Sequence, residues 1–185
     1  MKSYLITDPK YFSNDTSIFE TTLINILKTK EIDYICFRDK VSKNYELLAK
    51  RFVDISKSNN ISNIFINSHI DLAYSLNTTG VHLTSTQFDK IAYAKSMKLK
   101  VIVSTHNVED INKAIKYKAD YITYSPIFNT PNKGAAKGID DLKYITNKYK
   151  DINIFALGGI VTNYHVDMIK TTSSYGFASI RYFVK

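Results

Sequence analysis

The residues most capable of chemistry sit just past short apolar runs. His106 follows Ser104 and Thr105 at the end of the run Lys100–Val103. A histidine placed there can exchange protons near neutral pH, so His106 is the candidate acid/base, with a purely structural histidine as the alternative. Gly158-Gly159 follows the run Asn153–Leu157 and precedes a helical stretch near Thr162. Backbone N–H groups in that position can approach a phosphate closely, helped by the positive end of the helix. The plainer reading of the pair is a tight turn. Arg181 or Lys133 can supply a counter-charge. Arg38 and Lys40 stand two apart behind Asp33–Phe37 and suit an anion or a polar heterocycle on one face; a salt bridge to Asp39 or Asp8 is the alternative. His82, between Val81 and Leu83, either faces the same site or is structural. His165 reads as a surface residue and His69 as a helix cap.

These residues need a frame that gathers them. Short apolar runs alternate with amphipathic stretches along the whole chain. The strand-like runs are Ser3–Thr7, Asp33–Phe37, Asn63–Ile66, Gly80–Leu83, Lys100–Val103, Tyr121–Tyr124, Asn153–Leu157 and Tyr175–Ile180. Between them the apolar spacing predicts helices over Thr16–Lys30, Ser42–Asn59, Asp71–Leu76, Thr86–Met97, Val108–Lys118, Asp140–Lys150 and Thr162–Lys170. Ser42 opens its helix like an N-cap, and Asn107 can cap Val108–Lys118. Strands alternating with helices imply a parallel sheet with right-handed crossovers. Eight units favour a closed (β/α)8 barrel of one domain over residues 1–185. An open dinucleotide-binding sheet lacks its Gly-x-Gly-x-x-Gly after the first strand. In a closed barrel the strand C-termini carry the site. Asn67, Ser104, Thr130, Asn132, Lys133 and Arg181 join the candidates on that ground. The last strand runs nearly to Lys185, so the final outer helix is expected to be missing. The face it would cover is then bare or covered by a partner, which makes a homodimer one expectation.

Composition narrows the classes. With 185 residues and 44% hydrophobic content the chain can build a core. No apolar run approaches a membrane span of roughly 20 residues. A single cysteine, Cys36, excludes an internal disulfide and fits a reducing cytoplasm. The net charge of +8 is carried by scattered lysines without an aromatic-interleaved stripe. That pattern favours steering of small anions over nucleic-acid binding. The sequence shows no Asp/Glu/His spacing of a metal site.

Read in order, the motifs resemble the thiamin phosphate synthase/TenI superfamily. The matching segments are Tyr4-Leu5-Ile6-Thr7-Asp8, Cys36-Phe37-Arg38-Asp39-Lys40, Asn67-Ser68-His69-Ile70-Asp71-Leu72-Ala73 and Gly80-Val81-His82-Leu83. Ser104-Thr105-His106, Ser125-Pro126-Ile127-Phe128-Asn129-Thr130 and Ala156-Leu157-Gly158-Gly159-Ile160 continue the series. The resemblance implies a thiamin-biosynthesis enzyme on a TIM barrel that takes a small phosphorylated thiazole. Synthases of that family couple hydroxymethylpyrimidine diphosphate to thiazole phosphate and hold Mg2+ on two aspartates. Here those places carry Ser68 and the end of Thr84-Ser85-Thr86-Gln87. Cys36 replaces a pyrimidine-side glutamine, Asn132 a threonine, and the serine of the last strand falls at Arg181. What remains resembles the TenI-type thiazole tautomerases, in which a histidine at the His106 position moves a proton. The first expectation is therefore a metal-independent tautomerase with no cofactor. A divergent synthase, which would require Mg2+, is the alternative, and a non-catalytic ligand-binding or regulatory protein ranks below both.

Overall fold

A computed structural model describes residues 1–184. Eight strands form a closed barrel: β1 Lys2–Ile6, β2 Tyr34–Phe37, β3 Asn63–Asn67, β4 Gly80–Leu83, β5 Lys100–Thr105, β6 Tyr121–Tyr124, β7 Asn153–Leu157 and β8 Gly176–Ser179. Every neighbouring pair is parallel, and β8 closes on β1 with Tyr4 opposite Ala178. The helices are α1 Pro9–Phe12, α2 Thr16–Thr29, α3 Tyr45–Ser58, α4 Ile70–Ser75, α5 Ile91–Ser96, α6 Val108–Lys116, α7 Gly138–Lys148 and α8 Asn163–Lys170.

The strand sequences are almost wholly apolar because both faces are covered. Leu5, Ile35, Ile64, Val101, Ile122 and Ile154 point outward into the layer shared with the helices. Tyr4, Tyr34, Phe65, Ile102, Tyr121 and Phe155 point inward. Aromatic rings fill this interior: Tyr34 and Phe155 centroids lie 5.1 Å apart, and Tyr4 and Phe155 5.2 Å apart. Above this aromatic filling the inward side chains turn polar, with Asn67, His82 and Ser104 at the C-terminal ends of β3, β4 and β5. The barrel is thus plugged below and open above.

Three local expectations are corrected. The helix read from Ser42 begins at Tyr45, and Ser42 does not cap it. Its hydroxyl is buried without a partner, while the Asp39 carboxylate accepts from the backbone N–H groups of Val41 and Ser42. The helix read from Thr86 starts as a 3-10 turn at Phe88–Lys90 before α5. Between β1 and α2 lies the short helix α1, which the periodicity did not reveal. Asp8 caps it by accepting from Lys10 N–H, and Pro9 occupies its first position, where a missing N–H costs nothing.

No helix follows β8 among the described residues. The face that such a helix would cover is nevertheless not bare. Phe177 on β8 is 5% exposed and stacks on Phe183, with centroids 5.8 Å apart and rings 6° from parallel. Tyr182 packs edge-on against both rings. Its hydroxyl donates to Asn163 Oδ1 at the start of α8, and the Lys30 ammonium at the end of α2 lies 5.9 Å from its ring. A turn of four residues therefore joins α8 to α2, and this face needs no partner subunit to cover it.

Candidate active site

The barrel mouth holds a cavity of about 930 Å³. All twelve residues singled out from the sequence line it: Arg38, Lys40, Asn67, His82, Ser104, His106, Thr130, Asn132, Lys133, Gly158, Gly159 and Arg181. Asp8, Lys10 and Tyr11 also line it, as do Ser125, Lys137 and Ser179. The Asp8-Pro9 pair was the sequence signal for the α1 contribution, since Asp followed by Pro is a helix start. Lys137 carried no such signal; it is one lysine among many until the β6–α7 loop folds over the mouth.

The cavity is strongly cationic. Asp8 is its single carboxylate, and Asp8 Oδ2 already accepts from Arg38 Nη1 at 2.8 Å. Arg38 is thus ion-paired to Asp8, the alternative the sequence left open, and only Lys40 of the two remains without an ion pair among the described residues. Among the described residues Lys10, Lys40, Lys133, Lys137 and Arg181 make no ion pair. Five uncompensated cations around one mouth attract a ligand with more than one negative charge.

The glycine pair has a structural reason as well as a functional one. Gly158 has φ of +100° and Gly159 of +72°, a region that favours glycine. A Cβ on Gly159 would lie 2.6 Å from Phe128 Cβ. The β6–α7 loop packs here, with Ile127 N–H donating to Leu157 O and Phe128 N–H to Gly158 O. The tight-turn reading is therefore accounted for. The Gly159 N–H has no protein acceptor among the described residues. Beyond it, α8 presents its N-terminus with no side-chain cap from Thr162.

The last strand ends on Ser179, so the strand-end serine is Ser179 and not the position of Arg181. Its hydroxyl donates to Ile160 O at 2.7 Å and accepts from Tyr182 N–H. Ser179 thereby ties the glycine turn to the aromatic closure behind it.

The histidines divide by surroundings. His106 is exposed at the rim, and its Nδ1 lies 3.2 Å from Ser125 O and 3.2 Å from Ser125 Oγ. A carbonyl oxygen only accepts, so the bond to Ser125 O places the proton of a neutral ring on Nδ1 and leaves Nε2 a free lone pair, whereas a Ser125 hydroxyl donating to Nδ1 would reverse the two. His82 is 3% exposed, with Nδ1 2.8 Å from Tyr4 Oη and Nε2 3.1 Å from Ser104 Oγ. Burial, and less strongly the Arg38 charge, lowers the pKa of His82 to about 3, so its ring is neutral. Asn67 donates from Nδ2 to His82 O at 2.9 Å, which leaves its Oδ1 as an acceptor. Burial also raises the Cys36 thiol to about 12. Cys36 lies inside the barrel below this layer as an inert thiol. His69 occupies an N-cap position without a side-chain cap bond and stacks on Tyr45 at 4.6 Å. His165 is half-buried rather than a free surface residue, bonded to Thr162 Oγ1 and packed on Phe128 at 4.5 Å.

Mg2+ is the metal the fold's resemblance implies, and the residues present do not fit it. Gln87 Oε1 accepts from both the N–H and the hydroxyl of Thr84. Asp8 is engaged by Arg38. Among the described residues no group of three or more His, Cys, Asp or Glu side chains is placed to hold a metal ion. Hard cations need oxygen ligands with charge, and this mouth offers mainly ammonium and guanidinium groups.

Comparison with known proteins agrees with this geometry. The family model described as thiamine monophosphate synthase matches residues 3–183. A relative from Aquifex aeolicus named putative thiamine-phosphate synthase 2 is 34% identical, across 98% of this chain and 97% of its own length. A thiamine-phosphate synthase from Fusobacterium nucleatum is 31% identical, covering 97% of this chain and 87% of its own length. Among solved structures, a thiamine phosphate pyrophosphorylase from Pyrococcus furiosus aligns over 97% of this chain and 85% of its own, with a TM-score of 0.79. At 22% identity that last likeness bears on the fold alone. With a family match and relatives spanning nearly the whole chain, the protein belongs to the thiamine monophosphate synthase family.

Proposed function

We propose that the protein binds a phosphorylated thiazole and moves a proton on it without a metal, as a thiazole tautomerase. One observation carries the reading: His106 is fixed by Ser125 O with Nε2 free, at a mouth whose only carboxylate is already ion-paired. The phosphate would sit against Gly159 N–H and the start of α8, with Arg181 and Lys133 as counter-ions. A carboxylate on the ring would face Lys40 or Arg38. His106 Nε2 takes the ring proton and returns it at the other position, which is general acid–base catalysis by one group.

A second reading, coupling of hydroxymethylpyrimidine diphosphate to thiazole phosphate, has its own support. The relatives' names favour it over the first, since they are called thiamine-phosphate synthase. Arg38, Lys40 and Asn67 stand at the mouth as an anion and heterocycle surface. The five unpaired cations could stabilise a leaving diphosphate in place of a metal. Incubation with each substrate set, with and without Mg2+, followed by NMR of the products separates the two. An isomerised thiazole formed without Mg2+ supports the first reading. A coupled product overturns it in favour of the second.

A further inference from the structure

Tyr4 lies below the mouth, and His82, which lines the mouth, links it to Ser104. Tyr4 is wholly buried, and His82 nearly so. The Tyr4 hydroxyl is 2.8 Å from His82 Nδ1, and His82 Nε2 is 3.1 Å from Ser104 Oγ. Two proton arrangements satisfy these distances. In one, Tyr4 donates to Nδ1 and Nε2–H donates to Ser104. In the other, Nδ1–H donates to Tyr4, and Tyr4 must find another acceptor.

The surroundings decide between them. Among the described residues the Tyr4 hydroxyl makes no hydrogen bond except to His82 Nδ1. A buried hydroxyl left without an acceptor is costly, so Tyr4 donates to the imidazole lone pair. Burial also raises the Tyr4 phenol well above its ordinary range, so it keeps its proton and can donate.

We propose that Tyr4 is a positioning residue that fixes His82 as its Nε2–H tautomer and so makes the Ser104 hydroxyl a hydrogen-bond donor into the mouth. Ser104 Oγ accepts from His82, so its own hydrogen is free. It makes no other hydrogen bond among the described residues. The group that takes this hydrogen is a lone-pair acceptor, such as a ring nitrogen or a carboxylate oxygen. A ligand that offers only N–H groups or a cation there can use the second lone pair of Ser104 Oγ but leaves its hydrogen unpaired, which disfavours it. The same side chains without Tyr4 could present either a donor or an acceptor. Tyr4 therefore sets specificity without touching ligand.

The ligand arm of this assignment rests on the phosphorylated-thiazole reading; the tautomer arm does not. The test uses the full chain with 15N-labelled histidine, and His82 is assigned by loss of the other three signals in single variants. Wild-type His82 is expected as Nε2–H, unchanged between pH 8 and 5. Tyr4→Phe is expected to populate the Nδ1–H form, with Ser104 now donating to Nε2. Ser104→Ala is expected to leave His82 as Nε2–H, which keeps the test decisive if Tyr4→Phe folds poorly. Both variants should bind a thiazole carboxylate phosphate about tenfold more weakly and inorganic phosphate as the wild type does. Wild-type His82 found as Nδ1–H, or a tautomer untouched in well-folded Tyr4→Phe, overturns the assignment. A tautomer change without any thiazole binding upholds Tyr4's positioning role and sinks the thiazole reading instead.

Discussion

His106 Nδ1 lies 3.2 Å from the carbonyl oxygen of Ser125, on the neighbouring strand's exit. A backbone carbonyl cannot donate, so this contact favours the neutral ring that carries its proton on Nδ1 and leaves Nε2 to act as a base. Replacing His106 with Asn is expected to reduce isomerisation at least about 100-fold while leaving phosphate affinity within about twofold. Single-turnover kinetics and a phosphate-binding isotherm on the same variant check both halves.

Metal removal gives a second expectation. With Asp8 held by Arg38 and Gln87 Oε1 taken by Thr84, the mouth has no open set of carboxylates. Dialysis against EDTA should leave the isomerisation rate unchanged, and Mg2+ should not raise it. A rate restored only by Mg2+ contradicts the proposed chemistry.

Gly159→Ala is expected to damage both fold and binding. Its φ of +72° disfavours an L side chain, and the new Cβ would meet Phe128 Cβ at 2.6 Å. The strain costs about 1–3 kcal/mol, or roughly 2–4 °C in Tm per kcal/mol for a chain of this size. Phosphate affinity should fall as the turn moves away from α8. Calorimetry and a phosphate titration measure the two effects.

Stability should depend on pH through His82. Its pKa is lowered to about 3 by burial, with a smaller contribution from Arg38, against an unfolded value near 6.5. Between these values the unfolded chain binds a proton that the folded chain refuses. The contribution is complete above about pH 6.5 and is lost as pH falls toward 3, at about 1.4 kcal/mol per pH unit. Urea unfolding across that window should show the slope, and His82→Gln should flatten it.

The aromatic closure after β8 predicts a large effect from a residue far from the mouth. Phe183 is 2% exposed and stacks on Phe177. Phe183→Ala should cost about 3 kcal/mol, whereas Phe183→Leu should cost less than about 1.5. Equal losses for the two would mean that the ring's packing is not what closes this face.

Much of this was legible in the residues. The strand-end rule gathered His106, Asn67 and Gly158 correctly because period and strand direction survive folding. Ser42 misled because Asp39 turns the chain just ahead of it, accepting from the Val41 and Ser42 N–H groups, and the helix begins only at Tyr45. Only the folded turn shows that displacement. The Arg38–Asp8 pair could be named only as one of two alternatives because Asp8 is 30 residues away in sequence and adjacent only across β1 and β2. The closure by Tyr182 and Phe183 was invisible because four residues of turn carry no period. Their rings find Phe177, α2 and α8 only once the barrel has formed.

The two mouth histidines are held by opposite kinds of neighbour. A phenol gives its hydrogen to His82, and a carbonyl takes one from His106. The ring nitrogen each turns toward the ligand's side therefore has the opposite polarity. The mouth acquires a direction, with a giving edge over β4 and β5 and a taking edge over β5 and β6. A flat ring turned end for end in its own plane would bring like groups together at both edges. The two edges therefore select which end of a planar ring lies over β4 and which over β6.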